Sequence, residues 1–296
     1  MIQPVEMKLS LPMSLSGGEK TTTEKVWAIL TASHVGDIER VRSLVEEGPG
    51  LAYAKYNYTP PIHFAVLEGH EELVRFLLDR GAHDPNYRTY PFLDSLQTMA
   101  RDRGFETIAN LLDGYASDPG RQKYSGDNGE IFYSRTKEEE RFQKAVNDNK
   151  LKTASSILKE HPEFALDETY FWGEGILSMP ANRGDVKMLE LLMSYGAKVP
   201  PISKWGRFYY FKHYRIAKFL MENGMDANHK TWHHVTLLHD MAQEGDIDKA
   251  RLLIEHGAGL DPIDEEYHST PLGMAARWGN GDMVKFLLLQ GADSTK

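Results

Sequence analysis

The residues best suited to chemistry lie between positions 229 and 244: His229, Trp232, His233, His234, Asp240 and Glu244. Neutral imidazoles with carboxylates suit zinc or iron, and a histidine beside a carboxylate suits proton transfer. The spacing argues against both. His229 and His233 form an HxxxH pair with His234 adjacent, but they fall in a loop, where no helical repeat fixes ligand geometry. Asp240 and Glu244 stand four apart on one predicted helix face, which points to a solvated acidic patch that steers Lys- or Arg-bearing partners. No GxSxG elbow, HExxH pair or phosphate-cradling glycine loop is present. With zero cysteines, a thiolate zinc site and a cysteine nucleophile are excluded. No catalytic set, metal or cofactor is expected.

The composition sets the class. Of 296 residues, 41% are hydrophobic and 26% charged, an ordinary balance for a folded domain or an elongated array. Against 43 acidic residues stand 34 basic ones, a net charge of −9, so a phosphate backbone is a poor partner and nucleic acid is not expected. No run approaches the roughly 20 apolar residues of a membrane span. Residues 1–23 carry Pro4, Glu6 and Pro12 where a signal peptide would be apolar, and are expected to be a flexible lead-in to a cytoplasmic protein.

Elements that position these residues emerge from an internal repeat. Gly36, Gly69, Gly104, Gly184, Gly245 and Gly279 each precede an amphipathic run, and the first two steps and the last are 33, 35 and 34 residues. The runs IERVRSLVEEG, EELVRFLLDRGA, VKMLELLMSYGA, IDKARLLIEHGA and GDMVKFLLLQGA have helical period and stop at glycine, which reaches positive φ without steric cost. A shorter helix precedes each marker, so the unit is helix, turn, helix, loop.

This pattern resembles the ankyrin repeat, on the strength of PPIHFAVLEGHEELVRFLLDRGA at 60–82, TLLHDMAQEG…ARLLIEHGA at 236–258 and TPLGMAARWG…MVKFLLLQGAD at 270–293. The resemblance implies an all-α solenoid of stacked helix-turn-helix units with finger loops. About eight repeats are expected over residues 24–293, several degenerate. It also implies a structural role for His63 and His239, the fourth residues of the TPLH-type turn. Residues 24–113 and 140–296 form the two expected sub-arrays, joined by a Gly/Ser/Asp-rich linker at 114–139. Between Gly196 and Gly224 the spacing shrinks and VPPISKWG replaces a finger, which is expected to leave a notch.

Repeat phase, taken with the family's concave binding surface, puts Arg183, Arg207, Tyr210, Asp240, Glu244, Arg277 and Trp278 on the short helices of that face. Fingers contribute Trp172, Trp232, His233, His234 and Tyr267. Four of five tryptophans and seven of twelve histidines fall within 172–278, so the C-terminal half is the expected partner surface. Phe208, Tyr209 and Phe211 are expected to fill core space instead. Leu289 replaces the Asp79 or Glu255 of earlier units, an apolar residue that either stands exposed or supports self-association. The favoured function is a protein-interaction scaffold. The alternative is a small-molecule or metal-binding array, with or without chemistry, using a pocket near Trp205, His233 and Asp240.

Overall fold

Short paired helices recur along the chain in the computed structural model, which describes residues 1–15, 18–89, 93–118, 130–131, 133 and 135–296. They gather into two compact units, residues 6–133 and residues 134–296 together with 1–5. Among the described residues, no helix is long and apolar enough to cross a membrane.

In the first unit, α1 (Val5–Lys8) leads to β1 (Pro12–Ser14) and β2 (Lys20–Thr22). Three helix pairs follow among the described residues: α2 (Thr23–Val35) with α3 (Ile38–Glu47), α4 (Pro61–Leu67) with α5 (Glu71–Asp79), and α6 (Leu96–Asp102) with α7 (Glu106–Ala116). β3 (Glu130–Ile131) completes an antiparallel sheet of order β2-β1-β3, with Met13 in register with Thr21 and Ile131. First helices stack on first helices, α2 on α4 on α6, while α5 packs on α7. The second unit repeats the scheme with α8 (Lys137–Asn147) and α9 (Leu151–Glu160), then the single turn α10 (Tyr170–Gly173) before α11 (Ser178–Arg183) and α12 (Val186–Ser194). α13 (Gly206–Tyr209) and α14 (Tyr214–Glu222), α15 (Leu237–Glu244) and α16 (Ile247–Glu255), and α17 (Pro271–Arg277) and α18 (Gly281–Gln290) complete it. The result is an all-α stack of helix-turn-helix units.

Apolar spacing explains which face each helix buries. In α5 the residues Leu73, Val74, Phe76, Leu77 and Leu78 are buried while Glu71 and Arg75 form an exposed ion pair at 2.7 Å. Each such buried side chain contributes roughly 1.5–3 kcal/mol, whereas the exposed pair adds little. Stacking also answers the helix ends, whose last carbonyls have no partner within their own helix. His70 pairs through Nε2 with the His34 carbonyl at 2.9 Å, and Asn280 donates to the carbonyls of Ala242 and Gln243 at 2.9 and 2.7 Å. A polar residue opening one repeat's second helix thus caps the first helix of the repeat before it. This is why Gly36 is required twice over: its φ is +75°, and a Cβ there would meet the His70 ring at 2.7 Å. Gly36→Ala is expected to lower stability by about 1–2 kcal/mol or more, seen as a lower urea midpoint.

The two histidines of the TPLH-type turn are structural, as the resemblance implied. His239 Nδ1 meets the Thr236 amide and hydroxyl at 3.1 and 2.9 Å, while Nε2 reaches the Ser269 carbonyl of the next repeat at 3.1 Å. His63 Nδ1 pairs with the Tyr87 hydroxyl at 3.0 Å.

Three expectations need correction. The N-terminal segment is no loose lead-in: Met7, Met13 and Leu15 are buried, the buried Glu6 accepts from the Tyr56 hydroxyl, and Glu19 accepts from the Gly50 amide at 2.8 Å. Glu6 lies in α1 and Pro12 opens β1, so neither residue keeps the segment from docking. The expected linker at 114–139 is in part helix, since α7 runs to Ala116 and α8 begins at Lys137 behind a Thr136/Glu139 capping box. Residues 119–129, 132 and 134 of that linker lie outside the described residues. At the notch expected near Trp205, the shortened loop is bonded to the next repeat. Ile202 pairs with Lys230, Ser203 donates its amide to the Lys230 carbonyl at 3.1 Å, and the His229 ring lies where a Cβ on Gly206 would be.

Candidate functional site

The expected partner residues all belong to the second unit, and the structure divides them by burial. Trp232 is 1% exposed, its ring edge-on to His233 with centroids 3.9 Å apart, so it is core and not surface. Tyr210 is fully buried and its hydroxyl donates to the Glu174 carbonyl; burial pushes its pKa well above the ordinary tyrosine value, with Glu174 adding to the rise. Phe211 fills core space as expected, whereas Phe208 stands 40% exposed under the Arg207 guanidinium at 4.6 Å. Arg183 is a helix cap, donating to the carbonyls of Asn147 and Val146 at 2.8 Å each. For Tyr210 and Trp232 the cause is volume: a degenerate repeat supplies fewer aliphatic residues, so large aromatics turn inward to fill it.

Asp240 is also buried, though the sequence placed it in a solvated patch. It faces Arg207 of α13, whose Nη1 lies 3.5 Å from Asp240 Oδ1 and 3.3 Å from Glu244 Oε1. Burial pushes the Asp240 carboxyl up to about 7; Arg207 opposes the rise and Glu244 adds to it. One cation therefore holds two carboxylates on successive turns of α15, a link between neighbouring repeats. Glu244 itself remains exposed.

The histidines of the 229–234 loop face different partners. His229 is buried with Nε2 3.0 Å from the Ser203 hydroxyl, and burial lowers its pKa to about 4, so it stays neutral. His233 is buried against the carboxylate of Glu266, itself buried. His234 is partly exposed with Nε2 3.6 Å from Glu265, and burial lowers its pKa despite that carboxylate. Of the residues named for the alternative pocket, His233 faces Glu266 and Asp240 faces Arg207. A cavity of about 210 Å³ in this unit lies elsewhere, between Leu166, Asp167 and Glu168 on one side and Gly175, Gly196 and Lys198 on the other.

Besides Glu244, the expected partner residues that stand outward are aromatic or basic. Trp172 is 64% exposed, and both it and Phe171 take left-handed backbone conformations, φ 60° and 52°, in the turn over Tyr170–Gly173. Lys204 Nζ donates to the Trp172 carbonyl and so fastens that turn to the next repeat. At the other end, Trp278 is 42% exposed at the C-cap of α17, and the exposed Arg277 stacks over the Tyr267 ring at 4.3 Å. Leu289 on α18 is 84% exposed, with Leu288 beside it. Backbone strain at Trp172 had no sequence signal, because it sits at a position where glycine is the usual occupant of such a turn.

Repeat geometry and comparison with known proteins agree. The family model for ankyrin repeats matches three copies at residues 207–296, and the single-repeat model matches residues 57–90. The chain carries ankyrin repeats at these residues. It is similar to the probable E3 ubiquitin-protein ligase XBOS33 of Oryza sativa subsp. japonica, 35% identical over 86 residues, covering 28% of this chain and 16% of that protein. The human palmitoyltransferase ZDHHC13 is 38% identical over 78 residues, covering 26% of this chain and 12% of that protein. The probable E3 ubiquitin-protein ligase XBOS32 of Oryza sativa subsp. japonica is 24% identical over 206 residues, covering 63% of this chain and 41% of that protein. The chain spans less than half the length of these relatives.

Proposed function

We propose that the protein is an interaction module that holds another protein or peptide on the outward aromatic and basic residues of its second unit. The observation that carries this is the selective exposure of Trp172, Trp278 and Arg277, with the half-buried Tyr267 beneath Arg277, in a unit that buries Trp232, Tyr210 and Phe211. Aromatic and arginine side chains supply most of the binding energy in interfaces, and Trp172 is displayed at a cost, since left-handed conformations disfavour bulky side chains by roughly 1–2 kcal/mol. Arg207, Asp240 and Glu244 hold neighbouring repeats in register beneath this surface and do not themselves form the contact. His233, Trp232, Tyr210 and Arg183 serve the same structural end. The exposed Leu288 and Leu289 favour self-association as a secondary contact at the same end of the unit.

The pocket alternative has weaker support, because its three named residues are engaged with protein neighbours. The test uses Trp172→Ala and Trp278→Ala, singly and together. Each is expected to leave the urea midpoint within experimental error, as exposed positions usually shift stability by less than about 0.5 kcal/mol. The pair is expected to weaken capture of a peptide ligand by about tenfold or more. Unchanged binding in the double variant would place the interface elsewhere.

A further inference from the structure

The last finger, DPIDEEYHS at 261–269, has four carboxylates in its sequence and yet turns none of the three central ones toward the outward face. Asp264 is 1% exposed and accepts the amides of Glu266, Tyr267 and Ser269 at 2.7, 2.8 and 3.1 Å, so it is spent on closing the turn. Glu266 is buried against His233, and Glu265 is partly buried beside His234. On the neighbouring helix, the exposed Glu244 is held by Arg207. With these negative charges drawn inward or paired, the finger presents Tyr267 and His268, joined through the Tyr267 ring to Arg277, the one charged side chain of α17, and through it to Trp278. An acidic stretch of sequence thus yields a basic, aromatic surface.

A second observation marks the same place. Two residues before the N-cap of α4, α6, α15 and α17, the chain takes a left-handed conformation, at Tyr58, Leu93, His234 and His268 with φ of 66°, 62°, 62° and 49°. Glycine adopts this conformation without penalty, and does so at the matching position Gly175 before α11, where a Cβ would strike Pro200 at 2.8 Å. His268 is exposed, so its side chain adds no burial to offset the strain.

Deepening the interaction function proposed above, and resting on it, we infer that Tyr267, His268, Arg277 and Trp278 form a docking patch for an acidic peptide segment of a partner protein. Arg277 takes a carboxylate as a planar donor already oriented by Tyr267. Trp278 takes the apolar side chain beside it, and His268 donates from the finger tip.

The experiment pans a random peptide library displayed on phage against the full chain, then measures resynthesised fluorescent peptides by anisotropy. The variants are Arg277→Glu, Trp278→Ala, His268→Gly and, as a control for charge, Arg251→Glu on α16. Enriched peptides should carry more acidic than basic residues. Their affinity should fall about tenfold or more with Arg277→Glu and stay unchanged with Arg251→Glu. It should also weaken as salt is raised. His268→Gly should weaken binding while raising Tm by about 2–4 °C, the mark of a residue kept for display. Neutral or basic peptides that are lost with Trp278→Ala would leave the interaction face standing and overturn its acid preference. Peptides indifferent to both Trp278→Ala and Arg277→Glu would overturn the face itself, and this proposal with it.

Discussion

Trp232→Ala is expected to cost about 3–5 kcal/mol of stability, the range for deleting a large buried aromatic. The side chain is 1% exposed, its ring packs edge-on to His233, and its own carbonyl accepts the Ile2 amide at 3.0 Å. The cavity left behind would open beside the His233 ring. Against a total stability of roughly 5–15 kcal/mol for a typical domain, the loss is large. Urea unfolding followed by circular dichroism should show a midpoint far below that of the parent, whereas Trp172→Ala and Trp278→Ala should superimpose on it. A soluble Trp232→Ala protein with the parent midpoint would show that the ring is not in the core. The contrast has a practical side: loss of partner binding by Trp232→Ala reports unfolding, and loss by Trp278→Ala reports contact.

Asp240 governs the second large effect, through pH. Its folded-state pKa is raised by burial to about 7, against an ordinary value of 3.8. Between those limits the folded protein holds a proton that the unfolded chain has released. Stability is therefore greatest below about pH 4 as far as this group is concerned, and falls as pH rises toward 8. The gap corresponds to roughly 4 kcal/mol at full ionisation. Asp240→Asn removes the titration, and should flatten the decline between pH 5 and pH 8. At pH 8 it should raise stability by about 2 kcal/mol, less than the whole amount because Arg207 loses one of its two carboxylates. Urea midpoints of parent and variant across that range decide the matter. Parallel curves would mean that Asp240 titrates normally and that Arg207 fully compensates its burial.

The repeat was legible from spacing because every unit must solve the same two problems: stopping a helix and burying one apolar stripe. Gly36, Gly69, Gly245 and Gly279 solve the first at positive φ, and runs such as Leu73–Leu78 solve the second. The structural roles of His63 and His239 were equally accessible, through the resemblance to the ankyrin turn. Site residues were less so. Register alone put Tyr210, Trp232 and Asp240 on an open face, yet in the degenerate repeat at 196–224 a shortened loop lets Ser203 pair with Lys230 and draws His229 and Tyr210 into the core. The finger at 261–269 misled in the other direction, since its acidic composition hides carboxylates that bond their own backbone or a buried histidine.

Local physics, a helical period with glycine stops and a capping turn, is written in nearest-neighbour residue order, and so the ankyrin stack and its all-α class follow from the chain alone. Exposure is a property of three dimensions. Whether a tryptophan is Trp232 in the core or Trp278 at the surface depends on what the adjoining repeat leaves unfilled, and whether an aspartate is charged depends on how deeply stacking buries it and on which cation the adjoining repeat brings to it. Those outcomes were decided only when the units stacked, because packing density and desolvation act between residues roughly 30 or more positions apart.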